Sequence, residues 1–282
     1  MTTEISPPPP ADSPPMRAPH HGGRTAPRVI ALLTAALGVA VVAATVASAA
    51  VPALASASGH TGTTSLDVAG VRSLDLDVDA TSFSVRFGTA AEATLDLQSV
   101  RGSDWRLERQ GDTLRVVSPN TFGLWFGGGG GGTATLTLPR SLEASGIDAK
   151  VSFGGGGLSL EGAFDRLSID MGGGQVTASG SAEDLTVDLG AGAADLELAG
   201  VRTADLSISA GRLQAVLDGA APDDVRLSVS AGAATLTLPD AEYAVTANVE
   251  AGSFDNRLRT NTGSSHSVSV DVAAGTARVT SD

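Results

Sequence analysis

The chain has 282 residues, no cysteine and a formal net charge of −13. The lack of cysteine excludes disulfides and cysteine-ligated zinc. The acidity argues against nucleic acid as a partner, because an acidic surface repels the phosphate backbone. Glycine is abundant at 35 residues, whereas aromatic residues make up only 4% of the chain. This composition favours a core of small and β-branched side chains, as in thin stacked sheets.

The N-terminal region has the pattern of a tail followed by a membrane helix. Residues 1–28 are proline-rich, which predicts a disordered cytoplasmic tail. Residues 29–51 carry no charge, and a helix of this length would reach about 34 Å, enough to cross the hydrocarbon core. Arg17, Arg24 and Arg28 precede this stretch, and the next basic residue is Arg72. The asymmetry predicts a single-pass protein of the cell membrane with an extracellular C-terminal domain.

A cleaved signal peptide is the alternative interpretation of residues 29–51. Small-x-small sites ending at Ala55 and Ala57 would fit cleavage and would release a secreted protein. The apolar stretch is longer than the roughly 7–15 residues usual for a signal peptide, which favours a retained helix or uncleaved signal anchor. Residues 52–65, rich in Ser, Ala, Gly and Thr, are predicted to be a linker.

A repeat of about 20 residues dominates the region after the linker. Apolar and polar residues alternate on both sides of a small residue followed by glycine, which predicts two short strands per repeat with a tight bend between them. The bend glycines are preceded by a small residue in Gly173-Gly174, Ala191-Gly192, Ala210-Gly211, Ala231-Gly232, Ala251-Gly252 and Ala274-Gly275. An earlier copy carries Thr81 at the position of the glycine.

A single repeat cannot bury its apolar face alone, but stacked repeats can. The sequence therefore predicts an all-β fold: a β-solenoid of stacked two-strand repeats over residues 66–282, preceded by one transmembrane helix. We expect the inward residues that precede successive bends to form one internal column. In chain order this column would contain Met171, Leu189, Ile208, Val229 and Val249.

Residues 88–145 interrupt the repeats. Gly111-Asp112 lies between two short strand patterns that contain Trp105 and Leu114, which predicts a hairpin. We predict that these extra strands widen one end of the solenoid. An aromatic cluster precedes a run of six glycines and consists of Phe122, Leu124, Trp125 and Phe126. Two interpretations stay open: the cluster is a partner contact, or it caps the apolar end or open edge of the solenoid.

The order of these features resembles a known family. The Trp105 strand, the strand that follows Gly111-Asp112 and the strand ending in Leu138-Pro139 come before repeats with glycine bends. This order is similar to the putative adhesin domain family of bacterial envelope proteins, whose function is unknown. The resemblance covers residues 66–282. It implies a β-solenoid with a surface role, and it implies no catalytic residues.

No residue pattern predicts a catalytic, cofactor or metal site. His266 lies among serines in a polar loop, where an exposed histidine without a catalytic role is expected. The bends lack the recurring aspartates that calcium-binding repeats require. The six-glycine run is not followed by the lysine and helix of a phosphate-binding loop.

These observations favour a non-catalytic, surface-exposed interaction module tethered to the membrane. Its expected partner is an unknown protein or a cell-wall polymer, so adhesion or cell-wall contact would be its role. The first alternative is a sensory or regulatory ectodomain that reports envelope stress. The second is a β-helix enzyme acting on polysaccharide, which is less favoured because the acidic residues are scattered rather than clustered in a groove.

Overall fold

The computed structural model describes residues 60–79, 81–100, 104–119 and 132–282. This part of the chain is all-β, its sheet is not closed, and one short helix, α1 (Arg140–Ser145), interrupts the strands. In chain order the strands are β1 (His60–Leu66), β2 (Ser73–Val78), β3 (Thr81–Gly88), β4 (Ala93–Val100), β5 (Arg106–Gln110), β6 (Thr113–Val117), β7 (Thr133–Pro139), β8 (Asp148–Phe153), β9 (Gly156–Met171), β10 (Gln175–Leu189), β11 (Ala193–Ala199), β12 (Thr203–Asp218), β13 (Asp224–Leu238), β14 (Glu242–Asn256), β15 (Arg259–Thr260) and β16 (Ser267–Ser281).

Several predictions concern residues outside the described ranges: the tail, the membrane helix and residues 52–59 of the linker. Within the described ranges, no helix is long and apolar enough to cross a membrane. The linker prediction is wrong for residues 60–65, because β1 begins at His60 and pairs antiparallel with β4. The threonines of β1 favour an extended backbone, and hydrogen bonds to β4 supply the pairing that a side-chain pattern does not show.

From β9 to β16 the repeats pair in parallel and in register. Leu189 of β10 lies between Met171 of β9 and Ile208 of β12. Ile208 in turn lies beside Val229 of β13. All four side chains are buried, while the residues between them along each strand point outward. The alternation predicted from the sequence is therefore confirmed for these repeats.

The end of the internal column differs from the prediction. Val229 lies beside Val272 of β16, and Val249 of β14 lies on the far side of Val272. The last repeat in the chain is thus inserted between the two repeats that precede it. The inward residues of β16 are all apolar, whereas those of β14 include Asn256, so placing β16 in the position covered on both sides buries more apolar surface.

The bends bring glycine backbones into direct contact. Gly232 has a φ of +151°, and a Cβ at this position would overlap the carbonyl oxygen of Gly211 in the neighbouring repeat. Only glycine combines this conformation with so close an approach. The same contact recurs from repeat to repeat back to Gly156, which lies beside Thr81. Thr81 therefore occupies the bend position of the first copy, as predicted.

The interrupting segment adds strands to one end of the stack, as predicted. Strand β7 pairs in parallel with β3, and β4 and then β1 follow in antiparallel order. In the part of each repeat before the bend, β6 pairs with β2, and β5 forms the predicted hairpin with β6 around Gly111. Trp105 stacks on Phe83 with 6.1 Å between the ring centroids.

Candidate functional site

Six neighbouring strands share one outer face, in the order β1, β4, β7, β3, β9 and β10. Phe83, Ala134 and Leu158 of three of these strands are buried, so the residues on either side of them point outward. Most of these outward residues are Ser or Thr. The hydroxyl face, as we define it, consists of Thr94, Thr133, Thr135, Thr137, Ser82, Ser84, Ser159 and Thr177.

The strand register places these hydroxyls in rows. Thr135 of β7 lies beside Ser84 of β3, and Ser84 lies beside Ser159 of β9. Thr177 of β10 continues the same row. The strands that carry successive hydroxyls are therefore about 4.8 Å apart. The Ser84 hydroxyl donates a hydrogen bond to Thr135 Oγ1 at 3.1 Å, which orders part of the row before any ligand binds.

A depression of about 260 Å³ interrupts the hydroxyl face. Gly157 of β9 lies between Ser82 and Gln175 in the neighbouring row, so one side chain is missing from that row. Among the described residues, the nearest atom to a Cβ at residue 157 would be Ser82 Oγ at 4.0 Å, which leaves room for a side chain. The depression is lined by Ser82, Phe83, Ser84, Thr133, Gly157, Leu158, Ser159, Gln175 and Thr177.

Among the described residues that line the depression, none has an ionisable side chain, although the chain as a whole is strongly acidic. Charged residues lie at its margin, where the Arg86 guanidinium donates to Thr137 Oγ1 at 3.3 Å. A hydroxyl can both donate and accept hydrogen bonds, and Gln175 adds an amide with the same capacity. The arrangement can bind a neutral polar ligand, but it offers neither an acid nor a base for catalysis.

A larger cleft of about 710 Å³ lies near α1 and includes three aspartates in its lining. Two of these carboxylates have structural partners. Asp67 accepts a hydrogen bond from the Ala69 backbone at 3.1 Å, and Asp148 accepts one from Arg166 at 3.2 Å. General acid–base catalysis needs carboxyl groups directed at a substrate. The cleft is therefore a weaker candidate than the hydroxyl face.

The outer face before the bend carries an acidic cluster. Asp188 of β10 lies directly beside Asp170 of β9. Partial burial, followed by the charges of Asp170 and Asp205, raises the pKa of Asp188, while a hydrogen bond with Ser207 opposes the rise. Among the residues that the structure describes, no group of three or more His, Asp or Glu side chains could hold a metal ion.

His266 is half-buried, so the prediction of an exposed loop histidine is wrong. Its Nδ1 lies 2.9 Å from the carbonyl oxygen of Pro222, and its ring packs edge-on against Tyr243 at 6.0 Å between centroids. Tyr243 is fully buried and donates a hydrogen bond to the Pro239 carbonyl at 2.8 Å. These contacts make His266 part of the packing at the C-terminal end of the stack.

The predicted partner-contact residues Phe122, Leu124, Trp125 and Phe126 lie outside the described ranges. The hydroxyl face is the site that sequence reasoning missed. Its only local signal is the alternation of threonines in residues 133–137. The face depends on register, since Ser84 and Thr135 meet although they are 51 residues apart.

No protein-family profile and no curated protein matches the chain. Among solved structures, a putative cell adhesion protein from Clostridium sporogenes is 12% identical; the match covers 79% of this chain and 100% of that one, with a TM-score of 0.39. A putative adhesin from Bacteroides fragilis is 14% identical over 78% of this chain and 97% of its own, with a TM-score of 0.29. One from Parabacteroides distasonis has the same coverage and TM-score at 12% identity. These similarities concern the backbone fold alone.

Proposed function

We propose that the chain is a non-catalytic contact module of the cell surface whose hydroxyl face binds a neutral glycan of the cell envelope. The observation that supports this proposal is the set of in-register hydroxyls around the depression at Gly157. Glycans present dense hydroxyl groups, and Ser and Thr side chains can donate to and accept from them. Their short side chains also lose little conformational entropy when they are held by a ligand.

The lining of the depression offers polar groups from Ser82, Thr133 and Gln175. Sites for small polar ligands rely on a few placed hydrogen-bonding groups to fix the orientation of the ligand. The net charge of −13 disfavours phosphate-rich or other anionic polymers, which the chain would repel.

The architecture and the membrane tether belong to the same proposal. Parallel, in-register pairing from β9 to β16 supports a β-solenoid. The uncharged residues 29–51 and the arginines before them support a single membrane helix with a cytoplasmic N-terminus.

A filling substitution tests the depression. In Gly157→Tyr the side chain would occupy the space, and residue 157 is not in the left-handed region that would resist a side chain. Ala193→Tyr is the matched control, because Ala193 of β11 lies beside Gln175 in the same row but outside the depression. The measurement is co-sedimentation of the full chain with insoluble peptidoglycan and with an insoluble neutral glucan.

We expect Gly157→Tyr to weaken binding to one of these polymers by about tenfold or more and Ala193→Tyr to leave it unchanged. Equal binding by both variants, or no binding by the native chain, would overturn the proposal.

The aromatic cluster is tested separately by Trp125→Ala. A loss of polymer binding would support a partner contact, whereas unchanged binding with a lower melting temperature would support the cap.

A further inference from the structure

The strand at the C-terminal end of the stack has an open edge. Among the described residues, one edge of β14 pairs with β16 from Ala244 to Asn256, but its other edge pairs with β15 only at Glu242 and Tyr243. Val249 of this strand is 39% exposed, although its partner in the column, Val272, is 1% exposed. Residues 244–256 contain no lysine, arginine or proline, which commonly protect an open edge from other strands.

The direction of the free backbone groups follows from three hydrogen bonds. The Ala244 N–H donates to His266 and the Arg257 N–H donates to Val279, so both residues point toward β16. The Tyr243 carbonyl accepts from Asn261 on the opposite edge. Because successive residues of a strand point to alternate edges, the free groups before the bend belong to Val245, Ala247 and Val249. After the bend they belong to Phe254 and Asn256.

This pattern is symmetric about the bend at Ala251-Gly252. Val249 and Phe254 are equally far from its centre, and so are Ala247 and Asn256. All four residues are inward-facing and have their backbone groups on the free edge. A two-fold axis through the bend would therefore place Val249 opposite Phe254 of a second copy and Ala247 opposite Asn256, with donors facing acceptors in antiparallel pairing.

The outward residues are compatible with the same register. Glu250 would face Ser253 of the second copy, and Asn248 would face Asp255, so no two like charges would lie directly opposite each other. Asp255 is already paired with Arg257 and Arg278 at 3.1 and 3.0 Å. A straight strand from another protein could pair with β14 on only one side of the bend. The β14 strand of a second copy has the same bend and could therefore pair on both sides.

We infer that the open edge of β14 binds the same edge of a second copy of this chain, in antiparallel register across a two-fold axis at Ala251-Gly252. The interface would join the C-terminal ends of two stacks. It would cover the exposed Val249 and leave both hydroxyl faces free, because the strands of that face lie from β1 to β10, toward the other end of the strand order. The inference does not depend on the proposed glycan binding.

Proline at residue 247 gives a selective test. Ala247→Pro removes a donor from the free edge only, since the Ala247 N–H does not point toward β16. Ala247→Ser is the matched control, because it keeps the N–H at the same position. Sedimentation equilibrium of the full chain in detergent measures the mass over a range of concentrations. Circular dichroism of the variants checks that the fold is retained.

We expect the native chain and Ala247→Ser to form a reversible dimer, and Ala247→Pro to dimerise about tenfold or more weakly. A native chain that stays monomeric at all concentrations would overturn the inference. This holds even if a different protein binds the open edge of β14. A dimer that Ala247→Pro does not weaken would also overturn it, because association would then come from another part of the chain.

Cross-linking tests the register independently, since the chain has no native cysteine. Mixing a Val249→Cys chain with a Phe254→Cys chain should give a mixed disulfide under mild oxidation. Either variant alone should cross-link far less, because the register places residue 249 opposite residue 254 and not opposite itself. Equal cross-linking of the single variants and of the mixture would contradict the two-fold register.

Discussion

The two ends of the strand stack differ in how their edge strands are paired. At the N-terminal end, β1 and β5 run antiparallel to their neighbours, and β5 carries the charged residues Arg106, Glu108 and Arg109. At the C-terminal end, β14 keeps the parallel register of the repeats, and most of its other edge has no pairing strand in the part of the chain that the structure describes. The C-terminal end also shows that the position of a repeat in the stack can differ from its order in the chain, since β16 lies between β13 and β14.

The same substitution in the interior and at the open end should give very different losses of stability. Val229→Asp would bury an unpaired carboxylate and should lower the free energy of unfolding by about 4 kcal/mol or more. Leu189→Asp should have a similar effect. At Val249, which is 39% exposed in the single chain, the carboxylate stays hydrated, so Val249→Asp should cost about 1 kcal/mol or less at concentrations at which the chain is monomeric. Urea unfolding of the three variants measures this, and equal losses would contradict the placement of β14 at the edge.

A second comparison concerns glycines that contact a neighbouring repeat and glycines that do not. Gly232→Ala forces a Cβ against the Gly211 carbonyl and should lower stability by about 3 kcal/mol. Gly200 has a φ of +72°, but no atom lies within 4 Å of a Cβ built there, so Gly200→Ala should cost only about 1 kcal/mol of backbone strain. Thermal unfolding would show the order, and a larger loss at Gly200 would contradict the direct stacking of the bends.

Alkaline titration reports on the C-terminal end alone, because Tyr243 is the single tyrosine of the chain. Burial, followed by the nearby charge of Asp240, raises the pKa of Tyr243 to about 12. The unfolded chain ionises near the ordinary value of about 10. The stability that the neutral phenol contributes is thus complete below about pH 10 and is lost as the pH rises toward 12. Absorbance of the phenolate in the folded chain should therefore develop near pH 12, and ionisation near pH 10 would mean that Tyr243 is exposed.

The smallest expected effect concerns the acidic cluster on the outer face. The pKa of Asp188 is raised in the folded chain, so the carboxyl favours folding when protonated, and that contribution is lost as the pH rises through the folded pKa. Asp188→Asn should therefore stabilise the chain at pH 7 by about 0.5 kcal/mol, and the gain should shrink at pH 3. Asp271→Asn is the control, because Asp271 lies between Ser228 and Asn248 and has no acidic neighbour across the strands.

The sequence was sufficient to predict the local features of the repeats. The alternation around each bend glycine identified the inward residues, including Leu189 and Val229, because side-chain direction in a strand depends only on sequence position. The hairpin at Gly111 follows from a turn signal between two neighbouring strand patterns, which is also local in the sequence. Both sequence patterns extend over only a few residues, and so do the strand alternation and the hairpin that they predict.

Features that depend on pairing between distant strands could not be predicted in this way. The insertion of β16 before β14 reflects a competition between two similar repeats for the covered position, which neither repeat shows by itself. The hydroxyl face likewise requires β3, β7 and β9 to meet in a particular register. Even the start of β1 at His60 depends on its pairing with β4 rather than on its own side chains.

Cross-linking on the outer face tests the order of the strands most directly. Ser228 of β13 lies beside Asp271 of β16, and Asp271 lies beside Asn248 of β14. With Ser228→Cys and Asp271→Cys in one chain, the two positions are on adjacent strands and should form an intramolecular disulfide. With Ser228→Cys and Asn248→Cys, they are two strands apart, about 9.6 Å, and should not. A disulfide in the second variant and none in the first would show that β14 pairs with β13 and would contradict the inserted last repeat.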